Sequence, residues 1–191
     1  MSLLQISRLD EILETATNLF KSKGYVGTSM RDLADAVGME AGSLYSHVDS
    51  KDELLQHICF TIAGRFNKEI DLVLSVTNCS TSEKLESAIN GHVKVITEDI
   101  NATSVFWNEW KYLPEPHHSE LSKLQVVYEH KFRSILDEGV NSGEFKIADT
   151  TFTTMGILSS LNGLQKWRTY SMPPEDLGSA FAALFITGIK N

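Results

Sequence analysis

Apolar residues in this 191-residue chain recur at three- and four-residue steps from end to end, which is the period of helices that bury one face. Leu9, Ile12, Leu13, Ala16, Leu19 and Phe20 mark a first helix after a Ser7 cap, and Gly24 supplies its stop. A second helix opens at Thr28 or Ser29, and a third follows Gly38. Ser50 to Glu53 reads S-x-x-E, the pattern of a capping box, ahead of Leu54, Ile58, Ile62, Phe66, Ile70 and Leu74. That stripe predicts one long helix of about 25 residues.

The polar run TNCSTSE breaks the pattern, and Ser80 to Glu83 repeats the capping-box spacing before Leu85, Ala88, Ile89, His92 and Ile96. A short aromatic helix, VFWNEWKYL, ends at Pro114 and Pro116. Leu121, Leu124, Tyr128, Phe132, Ile135 and Leu136 form the next stripe, closed by a turn at Asn141 to Gly143. Asp149 caps a helix expected to reach about Tyr170, and Pro173 and Pro174 precede a last helix from Glu175 to about Ile189. No segment alternates like a strand, and there is no repeat or low-complexity tract. The expected fold class is all-α, with about nine helices.

A net charge of −8 argues against a protein that coats nucleic acid by bulk electrostatics, so any nucleic-acid contact must be local. No apolar run approaches a membrane span, and MSLLQISRLDEILETA carries acids where a signal peptide needs a basic start, so the expected location is cytoplasmic. Cys59 and Cys79 are far apart and lack metal-ligand spacing. The chain has no nucleophile elbow, phosphate loop, dinucleotide fingerprint or H-x-x-x-H helix, so neither an enzyme, a cofactor nor a metal is expected. His117 and His118 fall in a Pro-bounded loop and are read as solvated, since a stable site needs three or four converging ligands.

TSMRDLADAVGMEAGSLYSHVDSKDELL, residues 28 to 55, holds the polar cluster that bulk composition does not explain. Leu33, Val37 and Leu44 are apolar, while Ala34 and Gly38 are small at a four-residue spacing. A helix-turn-helix needs that combination: a small side chain at the crossing, a glycine at the turn and apolar residues between the helices. The outer face is then Glu40, Ala41, Gly42, Ser43, Tyr45, Ser46 and His47, where small residues admit the backbone to a major groove and polar groups meet phosphates. Lys51 adds a charge at the next helix start. The same spacing suits a solvated helical hairpin in a bundle. Charge does not decide between them, because residues 1 to 55 hold five Lys or Arg against nine Asp or Glu.

The run LFKSKGYVGTSMRDLADAVGMEAGSLYSHVDSKDELL resembles the N-terminal DNA-binding domain of the TetR family of bacterial transcriptional regulators. The resemblance implies a three-helix helix-turn-helix domain at 1–48 and a helical ligand-binding and dimerisation domain at 49–191. It further implies a homodimer on a palindromic double-stranded DNA operator, usually repressing until a small molecule binds. By position, Thr28 and Arg31 would meet the DNA backbone, with a base as the alternative for Arg31; Ala41, Gly42 and Ser46 would face the groove, and Ser43, Tyr45, His47 and Lys51 would hold the phosphates. Glu40 stands where Ser or Thr often caps the recognition helix in this family, and Val48 where Phe is common.

FWNEWKYLPEPHHSEL, EGVNSGEF and LNGLQKWRTY are similar to family members that control fatty-acid or sterol acyl-CoA metabolism, which implies a small apolar or acyl-CoA-type effector. Phe106, Trp107, Trp110, Tyr128 and Phe132 either line an apolar tunnel or fill the core. His92 and Asn162 are polar within apolar patterns and are candidate ligand contacts or satisfied core groups. Gly156, Ser159, Ser160 and Gly163 make a narrow helix face, which with Phe181 and Phe185 forms either a dimer interface or packing within one chain. The competing reading of function is a helical dimer that acts mainly through a protein partner and has a weak DNA surface.

Overall fold

Residues 8–167 and 172–190 are described by the computed structural model, and among them nine α-helices and no strand occur. In chain order these are α1 (Arg8–Lys23), α2 (Met30–Val37), α3 (Ala41–Leu44), α4 (Lys51–Leu74), α5 (Thr81–Glu98), α6 (Ile100–Glu109), α7 (His117–Asn141), α8 (Thr150–Asn162) and α9 (Pro174–Ile189). Short 3-10 turns cover Trp110–Tyr112 and Gly163–Lys166, and one antiparallel bridge pairs Phe145 with Lys190.

Local chemistry accounts for most of the boundaries. The Ser7 cap lies outside the described residues, while Gly24 stops α1 at φ 79°, a left-handed conformation that glycine reaches without a Cβ clash. Ser29 caps α2: its hydroxyl accepts from the Asp32 N–H at 3.1 Å, and the Asp32 carboxylate accepts from the Ser29 N–H at 2.9 Å. Gly38 ends α2 at φ 72°. The next N–H, of Met39, then turns back to the Ala34 carbonyl at 2.9 Å.

The box expected at Ser50 closes differently. Ser50 Oγ accepts from the Glu53 N–H at 3.2 Å, but Glu53 reaches back to the Asp49 N–H at 2.7 Å. Ser80 and Glu83 form the full reciprocal box at the start of α5. Glu144, from the α7–α8 connection, adds a second cap by accepting from the N–H groups of Thr81 and Ser82, each at 3.0 Å. These bonds hold the Glu144 carboxyl below the usual carboxylate range, with the Ser82 hydroxyl the largest cause.

Three boundaries differ from the sequence pattern. The aromatic helix begins at Ile100, before its apolar run, and tightens to 3-10 geometry at Trp110. His117 and His118 lie in the first turn of α7 rather than in a loop. Pro114 and Pro116 there supply the carbonyls that accept from His118 and Glu120, at 3.1 and 3.0 Å. The helix expected to reach Tyr170, itself outside the described residues, leaves α geometry after Asn162, where the Ser-Ser-Leu-Asn-Gly run favours helix weakly.

The described residues form two compact units. One runs to Ile62 and includes Asn101–Leu121; the other is Ala63–Ile100 with the residues from Ser122 on. Ile12, Phe20, Leu33, Leu44, Leu54 and Phe106 are fully buried in the first. Ile70, Leu85, Ile89, Phe132, Ile135 and Leu161 are fully buried in the second. Each such side chain contributes about 1.5–3 kcal/mol relative to exposure. In the second unit α9 packs along α5, and at Gly178 a Cβ would fall on the Asn90 amide oxygen.

Candidate nucleic-acid interface and effector region

The first unit presents α3 and the turn after it as an exposed polar strip. Leu44 is buried and anchors the strip against α2, whereas Ala41, Gly42, Ser43, Tyr45, Ser46 and His47 are all exposed. The helix is a single turn, extended by the N–H groups of Ser46, His47 and Val48 to the carbonyls of Ser43 and Leu44. Glu40 occupies the cap position without a side-chain cap bond. Ser46 Oγ donates to the Ser43 carbonyl at 2.6 Å.

Cations near this strip are few and mostly engaged. Lys23 pairs with Asp32 at 3.0 Å. The Asp32 carboxyl is held far below its ordinary range, chiefly by the Ser29 hydroxyl and then by the Ser29 N–H and Lys23. Arg31 is exposed, and no ion pair engages it among the described residues.

Two expected DNA contacts also have duties within the fold. Thr28 is 1 % exposed, and its hydroxyl donates to the Gly24 carbonyl at 2.9 Å, so it closes the α1–α2 turn rather than facing a phosphate. Lys51 is half-buried: its Nζ donates to the carbonyls of Tyr25 and Thr28, each at 3.1 Å, and sits 4.3 Å from the Tyr25 ring centroid. An ammonium has three donors, and these carbonyls use two. A cavity of about 490 Å³ lies beside this turn, lined by residues including Ser29, Met30, Tyr45, Ser50 and Lys51.

Tyr25 and Glu109 were not singled out from the sequence. The Tyr25 N–H donates to Glu109 Oε2 at 3.1 Å, its ring stacks on Tyr112 at 5.7 Å, and its hydroxyl donates to Asp52. The Gly-Tyr pair marks the turn, but nothing local to Glu109 points 84 residues back along the chain.

In the second unit His92, Tyr128 and Asn162 come together. His92 is 2 % exposed; its Nδ1 is 2.8 Å from the Tyr128 hydroxyl and its Nε2 is 3.0 Å from Asn162 Oδ1. One proton arrangement satisfies all three groups. Nε2–H donates to the amide oxygen, and the bare Nδ1 accepts from the phenol. Burial lowers the His92 pKa to about 4, against a smaller opposing effect of Asn162, and burial raises that of Tyr128. Phe66 flanks the imidazole at 4.6 Å, and Phe132 lies 6.4 Å from the Tyr128 ring.

The other aromatics expected at the effector site belong to the first unit. Phe106 is fully buried against Trp107 at 4.7 Å, and Trp110 is half-buried and stacked on His118 at 4.8 Å. Phe106 and Phe132 therefore act as core. The second unit also carries an open groove of about 840 Å³, walled by Leu72 and Val73 of α4, Val76 just after it, and Ser87, Asn90, Gly91 and Lys94 of α5. None of the expected effector residues lines it. Its signal in the sequence is a second, polar face of α5 at three- and four-residue steps, beside the core stripe.

On α8, Gly156, Ser159 and Ser160 are exposed together with Phe152 and Met155, and Leu184 is exposed on α9. Gly163 and Phe185 are half-buried. Phe181 is not part of that open face. It is 7 % exposed and closed within its own subunit between Trp167 and Phe185, at 5.8 and 6.1 Å.

A helix-turn-helix carried by an all-α chain defines a DNA-binding transcriptional regulator, and comparison with known proteins supplies the family. Residues 12–58 match the family described as bacterial regulatory proteins, tetR family, and residues 78–189 match the Tetracyclin repressor-like C-terminal domain. The chain belongs to the TetR family, whose members are regulators and not enzymes.

It is 28 % identical over 144 residues to the HTH-type transcriptional repressor KstR2 of Rhodococcus jostii, covering 73 % of this chain and 68 % of the relative. The solved ketosteroid transcriptional regulator KstR2 of Mycobacterium tuberculosis has the same fold, with a TM-score of 0.90, 22 % identity and coverage of 97 % and 96 %. AibR, solved in complex with isovaleryl coenzyme A and operator DNA, has a TM-score of 0.81, 21 % identity and coverage of 93 % and 97 %. No helix among the described residues is long and apolar enough to cross a membrane, and no cluster there gathers three metal-ligating side chains.

Proposed function

We propose that this chain is a cytoplasmic repressor that binds a palindromic operator as a homodimer and is released by an apolar or acyl-CoA-type effector. Residues 1–48 form the DNA-reading domain, and 49–191 carry the effector site and the dimer surface. The observation that carries the DNA half is the exposed strip from Ala41 to His47, held on a buried Leu44 and flanked by the exposed Arg31. Small and hydroxyl side chains there suit close approach to base edges, with Tyr45, His47 and Lys51 at the phosphates.

The dimer reading rests on the exposed Phe152, Met155, Gly156 and Ser159 of α8, where small residues let a second copy pack closely, and on the exposed Leu184 of α9. The effector reading draws on the relatives: one is named a ketosteroid regulator, and another was solved with isovaleryl coenzyme A. Trp107, Trp110 and Asn162 are half-buried, and an 840 Å³ groove falls within the size range of small-molecule sites. Both ring nitrogens of His92 are engaged, so it would meet a ligand only by giving up one of those bonds, whereas the Tyr128 oxygen keeps lone pairs that can accept. Coupling follows from α4, one uninterrupted helix with residues in both compact units.

Selection of duplexes from a random-sequence library by the purified protein tests this reading. Thermal unfolding with acyl-CoA esters of graded chain length, free fatty acids and sterol-derived CoA esters follows. An enriched palindrome and a chain-length optimum are expected, because ligand at 100 times its Kd stabilises the fold by about 2.7 kcal/mol. No enriched sequence would favour action through a protein partner; a flat panel would remove the lipid effector alone.

A further inference from the structure

Tyr25 is held on every side within the first unit. Its carbonyl accepts from Lys51 and from the Thr28 N–H at 3.2 Å, its ring meets Phe20 at 5.2 Å and Tyr112 at 5.7 Å, and its hydroxyl donates to Asp52. Lys51 and Asp52 open α4, so they fasten the turn from the side of the DNA-reading hairpin. The remaining fastener, on the Tyr25 N–H, is Glu109 at the last position of α6.

Glu109 is an unfavourable residue for its place. A carboxylate at a helix C-terminus opposes the helix dipole, and partial burial raises its carboxyl above the ordinary range, slightly offset by Lys111. A side chain held against both effects, with its oxygen on a single backbone N–H, marks a position where geometry is kept at the expense of local stability. Tyr112, in the 3-10 turn that follows, stacks on the same residue at an interplanar angle of 20°. Four residues after Tyr25, Ser29 caps α2, and α2 packs on α3.

We propose that Glu109, assisted by Tyr112, is a positioning residue for DNA reading: by holding the Tyr25 peptide it sets the α1–α2 turn and, through the Ser29-capped α2, the pose of residues 41 to 47. Movement of the α6 end is then felt at the recognition strip through one hydrogen bond and one ring stack. This inference rests on the DNA-reading role given above to that strip.

The test uses the full-length protein and a duplex enriched by the wild type from a random library, with Kd measured at one salt concentration. Glu109→Ala should weaken binding about tenfold, as loss of one charge-assisted bond implies. Glu109→Gln, which keeps an acceptor for the Tyr25 N–H, should return to within about twofold of wild type on the same argument. Glu120→Ala, whose carboxylate pairs with His117 in its own helix, should bind like wild type. Backbone hydrogen exchange read without DNA should show Tyr25 and residues 41 to 47 opening faster in Glu109→Ala and not in Glu109→Gln. Wild-type affinity and exchange in Glu109→Ala would overturn the proposal, as would a Gln variant as weak as the Ala variant. Failure to enrich any duplex would strike the DNA-reading role, while the exchange measurement still reads the contact.

Discussion

The Tyr128 hydroxyl lies 2.8 Å from Nδ1 of His92, and the opposite ring nitrogen of the same imidazole lies 3.0 Å from Asn162 Oδ1. A neutral imidazole completes both bonds, whereas a proton on Nδ1 would leave a buried cation with only a phenol and an amide as partners. The folded pKa of about 4 lies below the ordinary 6.5, so the unfolded chain takes up the proton first as pH falls. Stability is therefore full above pH 6.5 and declines toward pH 4, by about 2 kcal/mol at pH 5 and about 3 in all, at 1.36 kcal/mol per unit. Urea unfolding between pH 7.5 and 5 should show this loss in the wild type. A His92→Leu variant should be less stable at pH 7.5 but flat across that window. Parallel curves for the two proteins would refute the assignment.

Packing of α9 on α5 makes Gly178 sensitive. Gly178→Ala would place a methyl on the Asn90 amide, with the Asn90 backbone close behind it. The expected cost is about 1–3 kcal/mol, as for other overpacked sites, even though alanine is the better helix former. Denaturant midpoints measure it; Gly64→Ala, on an exposed position of α4 with open space at its Cβ, serves as the control and should be neutral or slightly stabilising.

The sequence period carried nearly all of the helices, because Leu33, Leu44, Ile62, Phe66, Leu85 and Phe132 are buried just where the three- and four-residue steps place them. Caps at Ser29 and Ser80 could also be read, being contained within four residues. What escaped is non-local. Glu144 caps α5 from 63 residues away, and Glu109 holds Tyr25 from 84, so neither leaves a periodic trace. Thr28 is hard to read from sequence for a related reason. Polarity at a helix start suggests a phosphate contact, but only the fold shows that its hydroxyl is spent on Gly24.

Arg31 and Thr28 should accordingly separate in DNA binding. Arg31→Ala removes an exposed guanidinium and should lower operator affinity by about 1–3 kcal/mol if it reaches a base. If it meets only a phosphate, the loss should be uniform across sequences and the salt slope should fall by about 1. Thr28→Val keeps the volume but strands the Gly24 carbonyl, so it should lower the melting temperature and leave the salt slope unchanged. Salt titrations of the two variants on an enriched duplex distinguish them; an unchanged slope and unchanged affinity in Arg31→Ala would remove that residue from the interface.

Leu184 is 67 % exposed on α9, and Phe152 and Met155 are 77 % and 57 % exposed on α8. Isolated apolar residues at a surface need no explanation, but Phe152 and Met155 share one helix with the small, exposed Gly156, Ser159 and Ser160, a combination of the kind that marks an interface. Leu184→Arg would bury a charge with no partner in any symmetric contact across that face, and each copy would present it once. Sedimentation velocity should then show a dimer for the wild type and a monomer for the variant, with the fold retained by circular dichroism. Affinity for a palindromic duplex should drop by about tenfold or more, since a single half-site contact is left. A Leu184→Arg protein that still sediments as a dimer would place the subunit contact elsewhere, and Phe181, enclosed by Trp167 and Phe185, is not the residue on which to look for it.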